Sequence, residues 1–174
     1  PGREGPPRGT PPAVTLAMRL GSELGTREAL AYAGVQVVAA IAGVLIAHAM
    51  FDLSLLQPGT RIRTGHAQWL SEGVATFGLV LAILLGARHR PAAVPALVAG
   101  YIFAAYWFTA STSFANPAVT LARALTQTFA GIRPGDAPAF VIAQLLGAVM
   151  ATGAAAALMQ GTADREDTTG QGEA

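Results

Sequence analysis

The stretch from Ser113 to Arg123, SFANPAVTLAR, decides the fold. Asn is a favoured helix N-cap and Pro is favoured at the first helical position, so Asn116 and Pro117 mark a helix start. A helix from Pro117 to Phe129 is about 20 Å long at the standard rise per residue, too short to cross a membrane, yet it carries no charge before Arg123. Part of this stretch occurs twice. Pro12-Ala13-Val14-Thr15-Leu16-Ala17 recurs as Pro117-Ala118-Val119-Thr120-Leu121-Ala122, six identical residues at an offset of 105. Each copy is followed by a charged, Gly-containing loop and an apolar helix with a single Gln, Gln36 after the first and Gln144 after the second. The chain therefore contains parts of two structural repeats.

Outward from this motif, charge is scarce. No formal charge stands between Glu28 and Asp52, between Gly73 and Ala87, between Pro91 and Ala122, or between Ala137 and Ala163. The second stretch reaches spanning length from Trp69, with Glu72 inside it. A helix needs roughly 20 mostly apolar residues to cross about 30 Å of hydrocarbon. Four such stretches are too many for a signal peptide or a single anchor. A soluble bundle of buried helices would also be apolar all round, but four of them in 174 residues leave almost no polar exterior. Small residues four apart (Ala39 and Gly43, Ala82 and Gly86, Gly100 and Ala104, Ala143 and Gly147) fit close helix packing in lipid. The reading is an all-α, polytopic membrane protein. A short helix capped within the membrane is tolerated only where its end lines a cavity or is buried in protein. Short segments at matching places in two repeats point to a pathway.

Composition excludes other classes. Apolar residues make up 52% and charged residues 12%, about half the charged share of a soluble domain. All 11 basic residues are Arg, and the net charge of +1 gives no footprint for nucleic acid. With no Cys there is no disulfide, thiolate nucleophile or Cys-ligated metal. His48, His66 and His89 have no carboxylate at ligand spacing, and no phosphate loop, Ser–His–Asp grouping or carboxylate pair occurs, so neither enzyme, metal nor cofactor is expected.

The string SFANPAVTLAR, preceded by the aromatic AAYWF and followed by AQLLGA, resembles the aquaporin or major intrinsic protein family over about residues 11–160. The resemblance implies an inverted-repeat helical bundle with four spanning helices here, near 29–51, 69–87, 91–112 and 137–160. It further implies two half-helices, near 12–21 and 116–129, meeting at the membrane centre. The domain organisation is then an incomplete first repeat over 11–51 and a second over 69–160. Residues 1–10 and 161–174 are read as disordered ends. Pro1, in place of Met, suggests a processed or partial product.

Three departures from the family pattern stand out. Pro11 occupies the place of the first motif's Asn, so Pro11-Pro12-Ala13 is degenerate. Trp69 to Asn116 spans 47 residues while only 10 precede Pro11, so two spanning helices of the pattern are absent. Val119 replaces the usual Arg. The implied function is facilitative passage of water or small neutral solutes of glycerol or metalloid-acid size, in a homotetramer. The alternative is a truncated, non-conducting membrane protein with a packing role.

Within this reading Asn116, Pro117 and Ala118 line the pore centre, and Ala104, Ser113 and Val119 belong to the narrowest ring. Arg123 lies one turn further out. Glu72 is expected to hydrogen-bond an irregular loop, and Gln36 and Gln144 to glue helices together. The short basic loop Arg88-His89-Arg90 is expected to be cytoplasmic, which puts both termini inside, with the plasma (inner) membrane as the expected location. Arg61, Arg63, Arg123 and Arg133 then lie on the other side.

Overall fold

The computed structural model describes the backbone of residues 25–170 and the side chains of residues 25–160. The described residues form helices and loops and no strand. Helix α1 is Thr26–Met50, α2 is His66–His89, and a 3-10 turn at Pro91–Ala93 leads into α3, Val94–Phe108. The short α4 is Pro117–Arg123, and a second 3-10 turn at Pro134–Asp136 opens α5, Ala137–Gly170. Four segments are long and apolar enough to cross a membrane: Thr26–Met50, His66–His89, Pro91–Phe108 and Pro134–Gln160.

The helices follow from local chemistry. Glu28 in the first turn of α1 accepts the N–H of Gly25, and Asp52 at φ 53° ends the helix beyond its Phe51 cap. Arg88 and His89 sit in the last turn of α2, where cations suit the helix dipole. Leu30, Val35, Val38 and Met50 of α1 are each more than 60% exposed. A helix apolar on every side is suited to lipid rather than water.

Packing centres on α2, which lies against α3 and α5, while α1 and α5 flank the short α4. Ala75, Leu79, Val80 and Ile83 of α2 form a core with Ala148 and Ala151 of α5 and with Ala115. Small residues permit this closeness. A β-carbon on Gly147 would collide with the carbonyl oxygen of Gly73 and sit 3.1 Å from the N of Phe77. Of the four small pairs, Ala143–Gly147 thus makes a backbone-to-backbone crossing. Gly86 lies beneath Leu97 and Val94, and Gly43 and Gly100 face open space among the described residues.

Three boundaries differ from expectation by four residues or more. The third span ends at Phe108, four residues short of 112, because Thr109 turns extended (ψ 138°), and beyond it Thr112, Ser113 and Ala115 adopt left-handed φ values of 62°, 46° and 48°. The half-helix stops at Arg123, not 129. Ala124 and Leu125 tighten onto i−3 carbonyls, and the Thr126 hydroxyl takes the N–H of Thr128. The last helix continues to Gly170, past 160, since no Pro interrupts it. The expected first half-helix, its Pro11-Pro12-Ala13 motif, the 1–10 segment and residues 171–174 lie outside the described residues.

Candidate functional site

Asn116 is extended (φ −154°, ψ 113°) and caps α4, its Oδ1 accepting the N–H of Ala118 at 2.9 Å and of Val119 at 3.4 Å. Such a cap contributes about 1 kcal/mol. With Oδ1 engaged, the two Nδ2 protons make no hydrogen bond among the described residues. Pro117 at the first helical position gives up no needed donor.

A chain of buried polar groups holds this cap in place. Glu72, fully buried on α2, accepts the N–H of Phe114 at 2.8 Å and of Ala115 at 2.9 Å. Gln144 on α5, also fully buried, donates Nε2 to Glu72 Oε2 at 2.6 Å and to Thr120 Oγ1 at 2.8 Å. Thr120 in turn donates to the carbonyl of Asn116 at 3.0 Å. Two helices, the loop and the half-helix are thus joined by one carboxylate. Left-handed non-Gly residues cost about 1–3 kcal/mol each, and the Glu72 bonds are what hold the loop in that shape. Glu72 and Gln144 meet, and Gln36 lies on α1.

Arg63, in the loop between α1 and α2, was legible in the sequence only as a loop charge. It is 7% exposed. Its Nε donates to Gly131 O at 2.9 Å, Nη1 to Ser111 O at 3.0 Å, and Nη2 to Phe129 O at 3.0 Å. Its backbone N–H is taken by Asp136 Oδ2, whose other oxygen pairs with Arg133 at 2.7 Å. Three loops are clamped together by these bonds. Burial, then the nearby charges of Arg61 and Arg123, push the Arg63 guanidinium below its ordinary value, with Glu72 opposing.

Arg123 ends α4. Its guanidinium carbon lies 4.3 Å from the ring centre of Phe114, and that of Arg63 lies 5.0 Å from the same centre. Phe114 itself packs edge-on against Phe140. No more than about 9 Å separates the two charges, a repulsion of about 2 kcal/mol at an effective dielectric of 20. Among the described residues the single ion pair is Arg133–Asp136, so no carboxylate pairs with either guanidinium. Arg123 Nη1 is buried without an acceptor there.

Arg123 also borders a recess of about 550 Å³ with Val44, His48, Phe51, Thr126 and Phe129. His48 is buried in its wall, Nδ1 against Leu55 O and Nε2 against Thr126 Oγ1, both at 2.9 Å. Of the residues read as a narrow ring, Ser113 is buried with its hydroxyl unpartnered among the described residues, and Val119 is half-buried beside the cap. Ala104 is exposed on α3.

Residues 89–173 match the family model described as Major intrinsic protein. The chain is also 63% identical over 140 residues to aquaglyceroporin AqpS of Rhizobium meliloti (strain 1021), an alignment covering 80% of this chain and 60% of that protein. The chain thus spans about three fifths of the length of the curated relative it matches. No solved structure gives a significant match.

Proposed function

Since the chain belongs to the major intrinsic protein family, we propose that it is a facilitative channel, passing water or small neutral solutes down their gradient. One observation carries the reading: a seven-residue helix, capped by Asn116 and flanked by non-helical backbone, among helices of membrane-spanning length. Backbone of that kind is stable at membrane depth only inside protein or along a water-filled cavity. Here Glu72, Gln144 and Thr120 supply the bonds that lipid does not.

In this reading Asn116 presents its free amide protons to the passing solute, with Pro117 and Ala118 forming the adjoining wall. Ser113, Val119 and Ala104 belong to the narrowest ring, with Arg123 beyond it. The name of the Rhizobium meliloti relative, an aquaglyceroporin, supports solutes of glycerol size. A ring of small side chains also suits metalloid acids, which are neutral and of similar bulk. Homotetrameric assembly, cytoplasmic termini and residence in the plasma (inner) membrane complete the proposal.

The test is flux into proteoliposomes, followed by light scattering. The protein is expected to accelerate water and glycerol equilibration over empty vesicles. Asn116→Ala, at equal incorporation, is expected to lower both about tenfold, in line with the loss of a well-placed polar group in a pore. Flux equal to that of empty vesicles, or flux unaffected by the substitution, contradicts the reading.

A further inference from the structure

His48 is 3% exposed, and both its ring nitrogens are in hydrogen-bond contact, Nδ1 with Leu55 O and Nε2 with Thr126 Oγ1, each at 2.9 Å. A carbonyl oxygen only accepts, so Nδ1 carries a proton in both charge states of the ring. In neutral His48, Nε2 is therefore a lone pair, and the Thr126 hydroxyl donates to it. The Thr126 oxygen then accepts the N–H of Thr128 at 3.4 Å and the hydroxyl of Thr128, whose oxygen lies 3.2 Å away. In the cation Nε2 carries a second proton and donates to Thr126, and the Thr126 hydroxyl turns to the oxygen of Thr128. Both states satisfy the imidazole and the Thr126 hydroxyl. What differs is Thr128, half-buried in the lining of the recess of about 550 Å³. Beside neutral His48 its proton is engaged by Thr126, and it offers lone pairs to the recess. Beside cationic His48 that proton is free to point into the recess.

We propose that His48, Thr126 and Thr128 form a proton relay that turns the Thr128 hydroxyl from acceptor to donor toward this recess as the pH falls. A proton from water in the recess joins Thr128 Oγ1, that of Thr128 passes to Thr126, and that of Thr126 passes to Nε2 of His48. No bond between heavy atoms forms or breaks, and the charge ends on the buried imidazole. Histidine is the side chain whose charge ordinarily changes between about pH 5 and about pH 8. The charged groups around it come from two elements. Arg123, on the half-helix, borders the same recess. From the loop after α1, Arg61 and Arg63 reach the carbonyl of Phe129, another lining residue, and Asp52, four residues past His48, is exposed. Among the described residues none of the four bonds to the imidazole. A cationic ring polarises the Thr126–Thr128 bond, and hydrogen bonds assisted by charge are stronger than neutral ones. The consequence for passage rests on the channel reading, in which solute moving beyond Arg123 meets this recess. A solute hydroxyl held by Thr128 then leaves more slowly in acid.

Nuclear magnetic resonance of the protein in detergent micelles, with isotope-labelled histidine ring nitrogens, tests the relay directly. His48→Gln identifies the signal of His48 among those of His66 and His89. His48 is expected to hold its proton on Nδ1 at about pH 8 and to carry one on each nitrogen by about pH 5. A proton on Nε2 alone at the higher pH, or a ring still neutral at the lower, overturns the relay. Glycerol uptake into proteoliposomes over the same range reads the consequence. Uptake above that of empty vesicles is expected to fall about threefold from the higher pH to the lower. Thr128→Val deletes the last hydroxyl, leaves the contact between His48 and Thr126 in place, and is expected to abolish the pH dependence. Thr128→Ser, which keeps the hydroxyl, is expected to retain it. A pH dependence equal in the unaltered protein and Thr128→Val overturns the role of Thr128, as does uptake that ignores pH while His48 titrates. Absence of both glycerol and water uptake at every pH overturns the channel reading alone, because the ring signal still decides the relay.

Discussion

Gln144 Nε2 donates to Glu72 Oε2 at 2.6 Å, joining α5 to α2 across 72 residues of sequence, and both side chains are fully buried. Among the described residues the carboxylate has no cationic hydrogen-bond partner; three neutral donors, two of them the backbone N–H groups of Phe114 and Ala115, surround it. Gln144 carries the bond on to Thr120, so the shape of the loop and the seat of the half-helix depend on the same two residues.

Glu72→Gln is expected to lower stability by about 3 kcal/mol, the scale for removing one partner from a buried charged network. The amide offers one acceptor oxygen where the carboxylate offered two, and its NH2 faces a backbone N–H. Gln144 can turn its free Oε1 toward that NH2, but it then gives up Thr120. Thermal unfolding in detergent, followed by circular dichroism, measures the loss. A midpoint unchanged by the substitution removes Glu72 from its structural role.

Gly147→Ala and Gly153→Ala make a matched pair on one helix. A β-carbon at 147 meets the carbonyl of Gly73 and the N of Phe77, both backbone and unable to step aside. At 153 it meets nothing within 4 Å. The first is expected to cost about 1–3 kcal/mol through overpacking. The second is expected to be neutral or stabilising by up to about 1 kcal/mol, since Ala is the better helix former. Equal midpoints for the two variants contradict the close crossing of α2 and α5.

The spans were legible because charge is absent from them, and the Asn116-Pro117 start because capping is local chemistry. The helix ends were not. Phe108 and Arg123 are followed by no Gly or Pro that would mark a stop, and the left-handed residues Thr112, Ser113 and Ala115 carry no sequence signature of that conformation. Tertiary bonds impose it, from Glu72 to Phe114 and Ala115 and from Arg63 to Ser111. Arg63 stayed hidden for the same reason: its acceptors are main-chain carbonyls 48 to 68 residues away, which any residue type supplies. Gln144 was legible as a lone amide in an apolar helix, though its partners were not.

Thr126→Val keeps the side-chain shape and removes one hydroxyl. That hydroxyl meets Nε2 of buried His48 at 2.9 Å and accepts the N–H of Thr128 at 3.4 Å. Leaving His48 without this partner is expected to cost about 1–2 kcal/mol. The chain after the half-helix should loosen as well, read as faster hydrogen exchange at Thr128 to Ala130. Exchange and stability both matching the unaltered protein contradict a bridging role for Thr126.

Val119 lies three residues past Asn116 on α4, one turn before Arg123, and is half-buried beside the cap. In the proposed pathway its small, uncharged side chain keeps the narrowest ring open to solutes of glycerol size. Val119→Arg puts a long guanidinium at that ring. Its repulsion from Arg123, at i and i+4 on one helix face, is expected to cost only a few tenths of a kcal/mol, so the fold should survive. Steric closure is then the dominant effect. Glycerol uptake into proteoliposomes is expected to fall about tenfold or more, while water, which needs less width, keeps its flux within about twofold. The water rate serves as the control for folding and incorporation, so a fall in glycerol uptake alone isolates the width of the ring. Glycerol uptake unchanged in the variant, or missing from the unaltered protein while water passes, contradicts a wide ring at Val119.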